Sequence, residues 1–126
     1  MSNPMATHGA FSWMELHSGD SGKARSFYAE LLGWNVEDMP MPDGSYPVIK
    51  NGEESLGGFS PMPADKPHWL PYITVDDVDK RVEKAKSLGA AVLSEPVSVP
   101  GVGRMATLSD SVGGVFAMIT YESQQA

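Results

Sequence analysis

The segment Trp13-Met14-Glu15-Leu16-His17 is where the chain most plainly offers chemistry. In an extended strand alternate side chains share a face, so Trp13, Glu15 and His17 point the same way. A partly desolvated carboxylate beside an imidazole can accept a proton, return it, or hold a donor group on a ligand. Glu15 and His17 are therefore the candidate catalytic pair. A second strand-like segment puts His68, Leu70, Tyr72 and Thr74 on one face, so Glu15, His17 and His68 offer the nitrogen and oxygen donors of a metal cluster. Structural alternatives stand beside these readings. His17 and His68 can serve as rim or hydrogen-bonded histidines, with His68 one residue past Pro67 at the mouth of its strand. Glu15 can pair with Arg104 or a backbone group, and Arg104 can instead meet a carboxylate ligand. His8 receives no role.

Other catalytic patterns are missing. Without Cys there is no thiolate nucleophile, disulfide framework or Cys-based zinc site. No Gly-x-Ser-x-Gly elbow occurs. Gly101-Val102-Gly103 is not followed by a helical pattern, so it reads as a hairpin-type loop rather than a phosphate cradle. Sixteen acidic against nine basic residues give a formal charge of −7, a field that repels phosphate backbones and anionic membrane surfaces. Nucleic acid and membranes are therefore not expected partners. No apolar run approaches the ~20 residues of a membrane helix, and Met1 to Ala10 lacks a signal-peptide pattern. A cytoplasmic location is expected.

The elements that must position these residues form an α+β pattern. Phe11 to His17 alternates as a strand. Asp20 is an N-cap candidate for a helix over Ser21 to Leu32, whose apolar positions are Ala24, Phe27, Tyr28, Leu31 and Leu32; Gly33 stops it. Strands follow at Trp34 to Met39, Tyr46 to Lys50 and Ser55 to Ser60, with turn formers at Pro40 to Gly44 and a hairpin turn at Asn51-Gly52. After a proline-rich stretch, Pro61 to Pro67, the pattern restarts. His68 to Val75 is a strand, Asp76 or Asp77 caps a helix to Leu88, and Gly89 ends it. Ala91 to Val99, Gly103 to Ser109 and Val115 to Tyr121 complete the strands, separated by Pro100-Gly101 and Val112-Gly113-Gly114.

A shift of 56 residues superposes Trp13 on Trp69, Asp20 on Asp76, Arg25 on Arg81, Leu32 on Leu88 and Gly33 on Gly89. Ser18 falls on Thr74. This repeat points to duplication of a β-α-β-β-β unit. The expected organisation is a flexible tail over 1–9, one domain over 10–122 and a tail over 123–126. Within the domain, module one covers 10–61, a linker 62–67 and module two 68–122.

The stretch WMELHSGDSGKARSFYAELLGW resembles the opening of vicinal oxygen chelate proteins, the glyoxalase/bleomycin-resistance/dioxygenase superfamily. WLPYITVDDVDKRVEKAKSLGA followed by LSDSVGGVFAMITY resembles its second half, with Ser111 where proline is usual. The resemblance implies two βαβββ modules forming a curled eight-stranded mixed sheet around a cavity. It also implies four positions that present His or Glu to a divalent metal, which chelates vicinal substrate oxygens. Those positions fall here on Trp13, Gly58, Leu70 and Ala117. None offers nitrogen or oxygen to a cation, and a register error of one residue does not change that. No metal and no cofactor are expected at that position.

Three functions follow. The first is a metal-free member that binds a small organic molecule, as bleomycin-resistance proteins sequester a drug. The second is a metal-independent lyase or isomerase using Glu15 and His17. The third, a metal-dependent glyoxalase or dioxygenase, is disfavoured by the missing donors. The ligand contacts implied are Trp13, Glu15, His17, Leu70, Tyr72, Arg104 and Ala117. Of the aromatics Trp13, Trp34, Trp69, Tyr72 and Phe116, one or two should line a cavity, Trp13 foremost, and the rest fill the core. The acidic balance suits a cationic or neutral ligand. The resemblance and an exposed sheet edge imply a homodimer.

Overall fold

The computed structural model describes residues 3–41, 44–62 and 64–122. The tip of the turn expected over 40–44, Pro63 in the linker and the tail 123–126 lie outside the described residues. Among the described residues, eight strands and two α-helices run in the order β-α-β-β-β, twice, after a 3-10 turn at Pro4–Ala6. They fall into two compact units, Trp13–Leu70 and the remainder, which joins the residues up to Ser12 with those from Pro71 on.

In the unit Trp13–Leu70, β1 (Phe11–His17, entering from Trp13) is followed by α1 (Ser21–Leu32), β2 (Asn35–Met41), β3 (Gly44–Asn51) and β4 (Glu54–Phe59). β1 pairs parallel with β4, while β3 pairs antiparallel with both β4 and β2. Asp20 caps α1 by accepting from the Lys23 amide at 2.9 Å. Gly33 ends the helix with φ 75°, a left-handed conformation that favours glycine. The register Glu15↔Gly58 and Leu16↔Phe59 sorts the faces. Leu16, Ile49 and Phe59 form the core, against which Ala24, Tyr28, Trp34, Val36 and Trp69 pack. Phe27, Leu31 and Leu32, expected on the apolar stripe of the helix, stay exposed because α1 buries the narrower line through Ala24 and Tyr28. The β3–β4 turn is Gly52-Glu53 rather than Asn51-Gly52, since Asn51 still pairs with Glu54.

In the other unit, β5 (His68–Thr74, from Pro71 on) leads to α2 (Val78–Ser87), β6 (Ala91–Val99), β7 (Gly103–Ser109) and β8 (Val115–Tyr121). The pairing scheme is the same: β5 parallel to β8, and β7 antiparallel to β8 and β6. Asp77, not Asp76, caps α2, accepting from the Lys80 amide at 3.1 Å. Asp76 instead holds Arg81 at 2.8 Å. Val75, Val78, Val82, Ala106, Leu108 and Met118 make the core, with Phe116 against it. The segment expected to be a loose tail is tied down over its described residues. Gly9 donates to the Thr74 carbonyl at 2.7 Å, and the Thr74 hydroxyl donates to the Pro4 carbonyl at 2.8 Å. Among the described residues no helix is long and apolar enough to cross a membrane.

Candidate functional site

Alternation along β1 sends Leu16 into the α1 core and Trp13, Glu15 and His17 to the opposite face. The structure brings these three together and adds a fourth residue, Tyr46 of β3. The Tyr46 hydroxyl donates to Glu15 Oε2 at 2.7 Å and accepts from Trp13 Nε1 at 3.2 Å. His17 Nε2 lies 2.8 Å from Glu15 Oε1, within ion-pair reach, although the buried nitrogen makes no aligned hydrogen bond. The Glu15 side chain is 12% exposed and that of His17 22%, so this is a largely desolvated carboxylate with the Tyr46 hydroxyl on one oxygen and the His17 imidazole near the other. The imidazole of His68 stacks on that of His17, centroids 5.1 Å apart and planes within 2°. The Nδ1–H of His68 donates to the Lys66 carbonyl at 2.8 Å.

Sequence reasoning missed Tyr46. It lies 31 residues from Glu15, and only strand pairing joins them. The available signal was Gly57-Gly58 inside a strand, a mark of close approach by another group. A Cβ added at Gly58 would run into Oη, Cζ and Cε2 of Tyr46.

The remaining expected contacts divide. Leu70, in the first unit, is buried on the strand face opposite Trp69. Tyr72 and Ala117 are neighbours across β5 and β8 in the other unit; both are buried, and neither belongs to the α2 core. Arg104 is already engaged by an acidic partner. It shares a face of β7 with Ala106 and Leu108, and its guanidinium forks Asp79 of α2 at 2.8 and 2.9 Å while touching Ser98 at 3.0 Å. That pairing holds the Asp79 carboxyl below the usual carboxylate range and supplies the helix-side anion that Arg104 needs. Of the aromatics, Trp34 stacks on Tyr28 and Trp69 meets it edge-on in the α1 core, while Phe116 packs against the α2 core. Trp13 belongs to the polar cluster.

The four positions at which the resemblance implies metal ligands do not fit a metal. Trp13 uses its indole as a donor, and the space beside Gly58 is taken by the Tyr46 phenol. Leu70 and Ala117 carry only carbon. Among the described residues no group of three or more His, Asp or Glu side chains is placed to hold an ion, so Glu15, His17 and His68 do not assemble the displaced site considered above.

Comparison with known proteins agrees with this architecture. Residues 13–119 match the family model described as a glyoxalase-like domain. The chain is 37% identical over 120 residues to CFP32 of Mycobacterium tuberculosis, named as a candidate glyoxylase, covering 93% of this chain and 46% of that protein. It is 34% identical over 114 residues to the anthracycline biosynthesis protein DauV of a Streptomyces species, covering 88% of this chain and 41% of that protein. The chain thus spans less than half the length of the curated relatives it matches. Among solved structures, methylmalonyl-CoA epimerase from Mycobacterium tuberculosis superposes with a TM-score of 0.65 at 11% identity, covering 94% of this chain and 93% of that one. That likeness speaks for the fold alone. The duplicated β-α-β-β-β units, the matched model and these relatives establish that the chain belongs to the glyoxalase-like domain family of vicinal oxygen chelate proteins.

Proposed function

We propose that this chain binds a small organic molecule against the Trp13–Tyr46–Glu15–His17 face, without a metal at the family's standard position. One observation carries the reading. Glu15, largely withdrawn from water, is clasped by the Tyr46 hydroxyl at 2.7 Å and approached by His17 Nε2 at 2.8 Å, beside the indole of Trp13. An aromatic wall with a few convergent polar groups is the usual make-up of a small-molecule site. The net charge of −7 favours a cationic or neutral ligand. The relative named for anthracycline biosynthesis makes an anthracycline a reasonable first probe.

A second reading rests on the same carboxylate. Glu15 takes the proton from the hydroxyl-bearing carbon of a hydroxyketone and delivers it to the adjacent carbonyl carbon, while the hydroxyl proton passes to the former carbonyl oxygen, so that hydroxyl and carbonyl exchange places, an isomerisation. The favouring observation is the His17 Nε2 close to Glu15 but outside hydrogen-bond alignment. A cytoplasmic location remains a proposal, supported by the Cys-free composition. A homodimer is likewise proposed, supported by the apolar side chains of Phe27, Leu31 and Leu32 left exposed on α1.

The test is thermal unfolding of chelator-treated protein against a panel containing daunorubicin and small aromatic amines. Binding raises the melting temperature by mass action. Wild-type protein should be stabilised by at least one compound and Glu15→Gln should lose that shift. A shift that appears only with an added divalent ion, or that persists in Glu15→Gln, removes the proposal. Solvent-deuterium exchange into a small hydroxyketone, read by NMR, separates the isomerase reading from binding alone.

A further inference from the structure

We infer that Tyr46 and Gly58 are a matched pair, in which Gly58 lacks a side chain so that the Tyr46 hydroxyl can sit over β4 and position Glu15 for the ligand. The inference rests on the ligand-binding reading above and adds a positioning residue and the feature that admits it.

The backbone does not ask for glycine at position 58. The positive-φ glycines are Gly9, Gly33, Gly44, Gly52, Gly89, Gly101, Gly103 and Gly113, and Gly58 is not among them. What calls for glycine there is space. The first atoms a Cβ would meet are Oη, Cζ and Cε2 of Tyr46. Register explains the encounter: Gly58 pairs with Glu15 on one side and with Val48 on the other. Tyr46 stands two residues before Val48 and so shares its face, from which its ring reaches across the bare backbone of Gly58 to Glu15. The position at which family resemblance implies a metal-ligating side chain is therefore filled by a phenol. That phenol grips the site's carboxylate from one side and accepts the Trp13 indole N–H from the other. The 2.7 Å bond fixes the Glu15 rotamer, so releasing it frees the side chain to turn away from Trp13 and the ligand.

The experiment compares wild type, Tyr46→Phe, Gly58→Ala, the double variant and Glu15→Gln. It reads melting temperature, the three indole N–H signals by NMR, and affinity for the tightest compound of the panel. Tyr46 presents the far end of a side chain to the added methyl, so Gly58→Ala displaces the ring rather than the strand. Tyr46→Phe and Gly58→Ala should both fold, move the Trp13 indole signal, and weaken the compound by roughly tenfold. The double variant should lose no more than either single one, because both break one link. If Glu15→Gln loses affinity while Tyr46→Phe keeps it, Glu15 is the site and Tyr46 does not position it. If Glu15→Gln keeps affinity, the binding proposal falls. The pairing is then judged on the indole signal alone, and a Trp13 signal unmoved by Gly58→Ala overturns it. Should Gly58→Ala fail to fold, Tyr46→Phe carries the comparison.

Discussion

The chemistry of this chain concentrates on a carboxylate with unlike groups on its two oxygens. Glu15 Oε2 takes the Tyr46 hydroxyl at 2.7 Å, and Oε1 faces His17 Nε2 at 2.8 Å. Few rotamers keep a carboxylate between two such neighbours, so its orientation is fixed before any ligand arrives. Replacing Glu15 by Gln keeps the shape and removes the charge, and should weaken ligand binding by about tenfold or more; calorimetric titration checks it. The pair Glu15 and His17 was legible in the sequence because period-two alternation fixes which side chains share a face. Tyr46 was not, because strand register between β3 and β4 decides its place and includes an irregularity between Ile49 and Lys50. The Asp79 partner of Arg104 was not legible for a related reason. A loop-end arginine looks available until its face of β7 is known, and that face belongs to α2 and Asp79.

At the scale of elements, caps and stops were legible where one residue does one job. Asp20 and Gly33 bound α1 as their chemistry requires. The second unit is instructive because Asp76 and Asp77 are adjacent. The offset of 56 aligns Asp20 with Asp76, whereas the cap is Asp77, and the strand starts Phe11 and His68 also differ by one more residue than that offset. The two registers converge again at Gly33 and Gly89, because α2 (Val78–Ser87) is shorter than α1 (Ser21–Leu32). Trp13 and Trp69 consequently share a residue type but not a face: one joins the polar cluster, the other the α1 core.

The turn into β8 yields a pH prediction. Asp110 Oδ1 accepts the Gly114 amide at 2.8 Å and the Val112 amide at 2.9 Å, and these bonds lower its pKa. A depressed folded-state pKa contributes stability present above the unfolded value, about 3.9, and lost as pH falls through the lower folded value. Asp110→Asn keeps an acceptor oxygen but no titration. The fall in its melting temperature from about pH 5 to pH 3 should therefore be shallower than that of wild type. In the core, Leu108 is fully buried between α2 and its sheet. Leu108→Ala should cost about 2–5 kcal/mol in denaturant unfolding.

Over the whole molecule, the duplication was legible and so was the family, since both depend on local patterns repeated in order. The tethering of the N-terminal segment was not. Residues up to Ser12 belong with the second half, through Thr74 and through the Ser12–Tyr121 hydroxyl contact at 2.8 Å, and no local signal announces a bond between residues so far apart. The exposed Phe27, Leu31 and Leu32 bear on assembly. Light scattering should give the mass of a dimer for wild type and of a monomer for Leu31→Glu, whereas a wild-type monomer would remove the dimer proposal.

A crystal structure of chelator-treated protein with the tightest compound of the panel tests the central claim most directly. The account expects the compound against the Trp13 ring, with a polar atom within hydrogen-bond distance of Glu15 and the Tyr46–Glu15 bond intact. A compound seated away from Glu15, or bound there only through a divalent ion after metal is restored, would contradict it.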